Sequence, residues 1–268
     1  MATSNLLVVL LSFILTTVLP LTIAQDCAYN FTATSTYGSY RDTILSSLPY
    51  DVTANHGFYT TAMTYGGLEP VYGLALCRGD LTDESCFACV NSSRQAILTN
   101  CPNQKYVVDF GSTSLCIVRF WNDSYFTIMD AQIVKALPSE GNITDYIDEF
   151  DKSFDGLVDE LTIRAAGGNS TLKFAVGERN YTQNGDKVYA LTQCVPTLSR
   201  YLCTSCLEGA VSDYRTRYLR RKSLHYMTQS CIFQYALSPF VESSVGDLLP
   251  PPSPPSPPPL GMLMSFQI

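Results

Sequence analysis

The sequence predicts an α+β fold in two tandem domains, each an antiparallel sheet packed with two helices. Three observations carry this reading. A cysteine motif occurs twice, amphipathic helical stretches stand at matching places in both copies, and strand-like segments lie apart from them. The motif is C-x8-C-x2-C, first in "CRGDLTDESCFACV" at Cys77, Cys86 and Cys89, then in "CVPTLSRYLCTSCL" at Cys194, Cys203 and Cys206. Each cysteine of the second set falls 117 residues after its counterpart, and "VYGLALC" is answered by "VYALTQC" at the same offset. Downstream, "CIVRFWNDSYF" from Cys116 matches "CIFQYALSPF" from Cys231. A period of about a hundred residues means two domains rather than a solenoid. Domains of that size hold one modest core and gain from disulfides.

Taken in order, residues 1–24 read as a secretory signal peptide, an apolar run from Leu6 with small residues ending at Ala24. An uncleaved anchor helix is the alternative, and the apolar core is short for that. The mature chain is expected to begin near Gln25. The first domain spans 25–130, with a helix carrying Tyr40, Ile44, Leu45 and Leu48 that Pro49 is expected to break. A second helix follows the motif, with Cys86, Cys89, Val90 and Ile97 on its buried face. Strand candidates are "KYVVDF", "LCIVRFW" and "YFTIMD".

The second domain spans 140–242. Ile147, Phe150, Phe154, Leu157, Val158 and Leu161 share one helical face, with Thr144 as the expected cap and Gly167 and Gly168 as the end. Cys203, Cys206, Leu207, Ala210 and Tyr214 mark its second helix, and "KVYALTQ", "SLHYMTQ" and "CIFQYAL" read as strands. Residues 243–268 form a proline-rich tail expected to be extended polyproline II outside any core. Its last stretch, "LGMLMSFQI", is too short for a bilayer span. No transmembrane segment is therefore expected after the signal peptide, and no kinase glycine-rich loop or catalytic motif is present.

Ten cysteines after a signal peptide point to a disulfide framework. A zinc site needs four clustered ligands, and the only histidines, His56 and His225, stand apart from the Cys-x-x-Cys pairs. A redox centre needs a βαβ context that the flanking sequence lacks. Cys86 and Cys89 lie one helical turn apart, as do Cys203 and Cys206, so the members of each pair are expected to reach different partners.

The twin motifs, "YGLALC", "CPNQK" and the closing "CIVRF" resemble the plant ginkbilobin-type stress-antifungal domain. That domain is the repeat of cysteine-rich secretory proteins, plasmodesmata-located proteins and cysteine-rich receptor-like kinases. The resemblance covers roughly residues 27–241. It implies five antiparallel strands with two helices per domain, and bridges in the order first–fifth, second–third and fourth–sixth. Mapped here, these are Cys27–Cys101, Cys77–Cys86 and Cys89–Cys116, then Cys194–Cys203 and Cys206–Cys231. Copy two lacks the first–fifth bridge, which closes the longest loop and is worth roughly 4 kcal/mol in the chain-entropy account. Its longer amphipathic helix is expected to compensate by burial.

Asn-x-Ser/Thr sequons stand at Asn30, Asn91, Asn122, Asn142, Asn169 and Asn180, expected glycosylation sites in a secreted chain. Asn91, on the second helix, is the crowded one. No catalytic constellation, metal site or cofactor site is expected. Asp148, Asp151, Asp155 and Asp159 recur on one helix face and read as a solvated face rather than a metal site. His225 is expected to be held neutral by the cations of "RTRYLRRK". The cluster Arg215, Arg217, Arg220, Arg221 and Lys222 reads first as a helix end, where cations favour the dipole terminus. An anionic polysaccharide, lipid surface or acidic partner is the alternative. A net charge of −7 in a secreted chain argues against nucleic acid.

The functional expectation is a secreted apoplastic binding protein without enzymatic activity, in stress or defence, recognising wall or microbial carbohydrate. The alternative is an interaction module like a receptor-kinase ectodomain, binding cell-surface proteins. Exposed aromatics lining a groove favour the first, and a broad apolar patch between the domains favours the second. In the seed antifungal members, the resemblance implies a mannose site. It is made of an Asn after the first cysteine, an Arg six before the last and a Glu five after it. Counted from the cysteines, those places hold Ala28, Phe110 and Trp121, with Arg119 nearby; copy two offers His225 and Ala236. Mannose binding in that manner is therefore not expected, and the ligand-binding residues are left open.

Overall fold

The computed structural model describes residues 26–64, 66–67 and 69–241; residues 1–24, expected to be a signal peptide, and the proline-rich tail lie outside them. The first sheet has strands β1 (Asp26–Asn30), β2 (Phe58–Met63), β3 (Val71–Cys77), β4 (Gln104–Asp109) and β5 (Cys116–Trp121), in the order β1-β4-β5-β3-β2. Helices α1 (Thr36–Ala54) and α2 (Asp83–Asn100) cover one face. The second sheet repeats this as β6-β9-β10-β8-β7, from β6 (Ile133–Pro138), β7 (Lys173–Asn180), β8 (Lys187–Cys194), β9 (Ser223–Thr228) and β10 (Cys231–Ala236). Its helices are α3 (Ile147–Ala166) and α4 (Arg200–Asp213), the latter running into a π-helical turn at Tyr214–Tyr218. Every strand pairing is antiparallel.

Three helices begin alike. Ser35, Thr82 and Ser199 sit in extended conformation and accept from the backbone N–H three residues on, each at 3.2 Å. α3 differs from the expectation. Tyr146, at φ 52°, precedes it, and the Thr144 hydroxyl bonds to Asp145 rather than capping the helix. Asp148 and Glu149 in the first turn supply the favourable charge instead. α1 also differs, because Pro49 lies inside it. The apolar stripe continues through Leu48, Pro49 and Val52, and its burial outweighs the missing hydrogen bond.

Cys77 and Cys116 face each other across β3 and β5, yet they bond to α2 rather than to one another, as Cys77–Cys86 and Cys89–Cys116. Copy two repeats this: Cys194 and Cys231 are opposed across β8 and β10 and reach Cys203 and Cys206 on α4. Two adjacent strands are thus tied to one turn of one helix. Gly111, at φ 65°, lets the chain pass the Cys89–Cys116 bridge, since a Cβ there would meet the Cys89 sulfur at 2.5 Å. Cys27–Cys101 joins β1 to the end of α2. At the end of α4, where no such bridge exists, Tyr214 packs with Phe154 and Tyr235, and Phe154 in turn meets Phe233.

The segment "YFTIMD", expected as a strand, is a loop. Tyr125 spends its polar end on the carbonyl of Arg119 at 3.1 Å and its ring on the Arg119 guanidinium, 4.3 Å away, so aromatic packing replaces ladder pairing.

The central strands β3, β4 and β5 of the first sheet carry buried residues on both faces. Val71, Ala75, Val107, Val118 and Phe120 pack on the helices of copy one. The alternate residues Leu74, Leu76, Val108, Phe110 and Ile117 join the core of copy two. Polar groups pin this joint. Gln193 accepts from Gly79 N and donates to the Cys77 carbonyl, both at 3.0 Å. Arg78 grips Asp80 with Nε at 2.5 Å and Nη2 at 2.7 Å, and donates from Nη1 to Gln234 at 2.9 Å. Gly79 is required here, because a Cβ would stand 2.6 Å from the ring of Phe174.

Asp80→Asn is expected to cost about 3–5 kcal/mol, because it leaves Arg78, whose side chain is 5% exposed, buried without its counter-charge. Denaturant unfolding of the variant beside the parent chain measures this directly.

Candidate functional site

Beside this joint, β1, β4, β5 and the loop after β5 enclose an open cleft of about 400 Å³. Its wall is aromatic. Tyr106 and Trp121 meet edge to face at 4.3 Å between centroids, and Tyr29 meets Trp121 at 5.6 Å. Tyr29 is 68% exposed and adopts φ 57°, a local break in β1 that keeps its ring beside Trp121. Ile128 on the loop is 59% exposed and closes the far side. Asp123, Ser124, Asp130 and Gln132 supply hydrogen-bonding groups.

Arg119 forms the floor. It is 5% exposed, lies over Tyr125, and donates from Nη1 to the carbonyl of Gln229 in copy two at 2.9 Å. Burial lowers its proton affinity and neighbouring Tyr125 and Asp130 oppose that, while burial pushes the Tyr125 phenol well up. Gln229 also donates to the Tyr106 hydroxyl, and Asp130 N donates to Ser230 Oγ at 2.8 Å. The second copy therefore holds the cleft of the first in place.

The cysteine count placed three residues, and the structure separates them. Ala28 and Trp121 line the cleft; Phe110, 1% exposed, belongs to the inter-sheet core. The cation in the cleft is Arg119, two residues before Trp121, which the count passed over. In copy two, His225 lies partly buried within reach of Arg78 and Lys135, and Ala236 is buried at the end of β10. The count missed Tyr29, Tyr106, Asp123, Asp130 and Gln132. Alternation along β4 and β5 could have found Tyr106, which shares a sheet face with Trp121.

The two charge runs of copy two meet. Arg215 bridges Asp155 at 2.9 Å, Arg220 reaches Asp151 and Arg217 reaches Asp213, both at 3.7 Å. The acidic face keeps Asp148 and Asp159 exposed and the basic cluster stands at the end of the helix, as expected; what the sequence did not announce is that the two meet through the Asp155–Arg215 and Asp151–Arg220 pairs. Among the described residues, no group of His, Cys, Asp and Glu could hold a metal ion, and no helix is long and apolar enough to cross a membrane. Of the sequons, Asn30, Asn142, Asn169 and Asn180 are exposed, whereas Asn91 and Asn122 are partly buried.

A family model described as salt stress response/antifungal matches residues 25–123 and 138–238. The chain belongs to the salt stress response/antifungal family. Among family relatives from Arabidopsis thaliana, cysteine-rich repeat secretory protein 38 is 29% identical over 220 residues, 82% of this chain and 84% of that one. Cysteine-rich receptor-like protein kinase 14 is 31% identical over 237 residues, 87% of this chain but 36% of the kinase. The chain thus spans 32% to 36% of the length of the kinase relatives it matches. The tandem DUF26 ectodomain of the A. thaliana receptor-like protein PDLP8 shares the fold. Its TM-score is 0.68 at 23% identity, covering 80% of this chain and 97% of that one.

His225 is the titrating group beside Arg78. Burial first, then Arg78 and Lys135, lower its pKa from 6.5 to about 4, so the cations responsible are not those of residues 215–222. Its Nε2 is buried and makes no hydrogen bond among the described residues. The folded state resists protonation that the unfolded chain accepts, so this contribution is full above pH 6.5 and is lost as pH falls toward about 4. The loss is on the order of 3 kcal/mol. Unfolding measured at neutral and acidic pH is expected to show a shallower acid loss for His225→Gln than for the parent chain; parallel profiles would remove His225 from the account.

Proposed function

We propose that this chain is a secreted, non-enzymatic binding protein of plant stress or defence, and that its cleft takes a carbohydrate of wall or microbial origin. The observation that carries this is the aromatic wall of exposed Tyr29 and half-buried Tyr106 and Trp121, with polar Asp123, Asp130 and Gln132 lining the same cleft. Sugar rings bring C–H faces that stack on aromatics and hydroxyls that need carboxylates and amides at the rim. A volume of about 400 Å³ lies within the range of small-molecule clefts. Secretion is supported by the names of the relatives and by five disulfides, which persist in oxidising compartments.

The broad apolar surface that would favour a protein partner is spent between the two sheets, on Leu74, Leu76, Phe110 and Ile117. Mannose held by an amide, a cation and a carboxylate is a poorer fit. Ala28 brings no amide, Trp121 stands where the count puts the carboxylate, and Arg119 is engaged with Gln229 and Tyr125. An extended oligosaccharide that lies along the aromatic wall fits better than one monosaccharide.

A glycan array followed by calorimetry tests this. Wall or microbial oligosaccharides are expected to bind, and free mannose to give no specific heat. Trp121→Ala should lower affinity about tenfold, a loss of about 1.4 kcal/mol. Absence of any glycan ligand, or affinity unchanged in Trp121→Ala, would defeat the reading.

A further inference from the structure

Asn30 opens the sequon Asn30-Phe31-Thr32 and directly follows Tyr29, the most exposed aromatic of the cleft. Register fixes the face on which it stands. Ala28 pairs with Tyr106 and Asn30 with Gln104, and the Asn30 Oδ1 accepts from Gln104 Nε2 at 3.2 Å. Gln104 and Tyr106 are two residues apart on β4 and share a sheet face. Asn30 therefore lies on the cleft face, about 7 Å along the sheet from the row Ala28–Tyr106–Trp121. Its Oδ1 is held by Gln104, which leaves Nδ2 as the atom turned from that contact. Asn122 is different. It follows Trp121 directly, but its amide donates to Glu69, which also pairs with Lys105 beside Tyr37, on the helix side of the sheet.

From this placement we infer that Asn30 carries an N-linked glycan whose first sugars lie on Tyr29 and Trp121 and cap the cleft. The inference rests on the cleft being a sugar site, because the same aromatic wall that would stack a ligand stacks the protein's own glycan. In the transfer, Nδ2 of Asn30 bonds to the anomeric carbon of an oligosaccharyl diphosphate donor. The bond from that carbon to the diphosphate oxygen breaks, the oxygen keeps the electron pair, and the amide gives up one proton. The second N–H and the Oδ1 remain, so the contact with Gln104 survives. A cleft occupied in this way admits an outside oligosaccharide only by displacing a tethered one, which makes glycan processing at Asn30 a control on binding.

Trp121 is the only tryptophan of the chain, so its fluorescence reports the cleft alone. The full chain is made in a plant secretory host as the parent, as Asn30→Gln, as Thr32→Ala, and as Asn180→Gln in the second copy. Thr32→Ala removes the sequon while keeping the Asn30 side chain. Glycopeptide mass spectrometry is expected to find Asn30 occupied in the parent. Acrylamide quenching of Trp121 is expected to rise in Asn30→Gln and Thr32→Ala and to stay at the parent level in Asn180→Gln. An unoccupied Asn30, quenching equal in all four proteins, or an equal rise in Asn180→Gln overturns the inference. Oligosaccharide titration of Thr32→Ala separates the two claims. If quenching rises as expected but no oligosaccharide binds, the cap stands and the external carbohydrate ligand falls.

Discussion

The buried face shared by the two sheets is the constraint on which the rest of the structure depends. An antiparallel sheet with helices on one side leaves its other face to water or to a partner. Here Leu74, Leu76, Val108, Phe110 and Ile117 make that face too apolar for water, and the sheet of copy two covers it. Burial supplies the drive, and the polar groups set the register: Gln193 reads the backbone at Cys77 and Gly79, while Arg78 and Asp80 neutralise each other inside the joint. The cleft follows from this. Its floor, Arg119, is anchored to the Gln229 carbonyl across the joint, so a functional surface on one copy is shaped by the other.

The cysteine motif does a second, local job. Tying two neighbouring strands to one helical turn fixes how the helix crosses the sheet, and both copies do it with the same spacing. They differ where copy two has no counterpart of Cys27–Cys101. There, Phe154, Tyr214, Phe233 and Tyr235 fill the end of the domain with rings. A covalent constraint on the unfolded chain in one copy thus stands opposite burial in the folded state of the other.

Much of the fold was legible because it is written in periodicity: the helical stripe from Phe150 to Leu161 and the strands flanking Cys116 and Cys231 lie where their patterns put them. Local rules failed where tertiary contacts overrode them. Pro49 stays helical because Val52 beyond it is buried, and Tyr125 leaves the ladder for Arg119. The site was less legible. Counting from cysteines assumes fixed loop lengths, and the cation of the cleft proved to be Arg119 rather than whatever occupied position 110. Tyr29 could not be placed at all from pattern, since its left-handed backbone breaks the alternation of β1. The pairing of Asp151 and Asp155 with Arg220 and Arg215 is a contact across some sixty residues that no local motif announces.

If the joint unites the copies, they should unfold together even though each has its own helices and bridges. Scanning calorimetry of the full chain tests this most directly. A single transition, with the calorimetric enthalpy equal to the van't Hoff enthalpy, is the result the joint predicts. Two resolved transitions, with the Trp121 signal following only the first copy, would contradict it and leave the cleft a property of one domain alone.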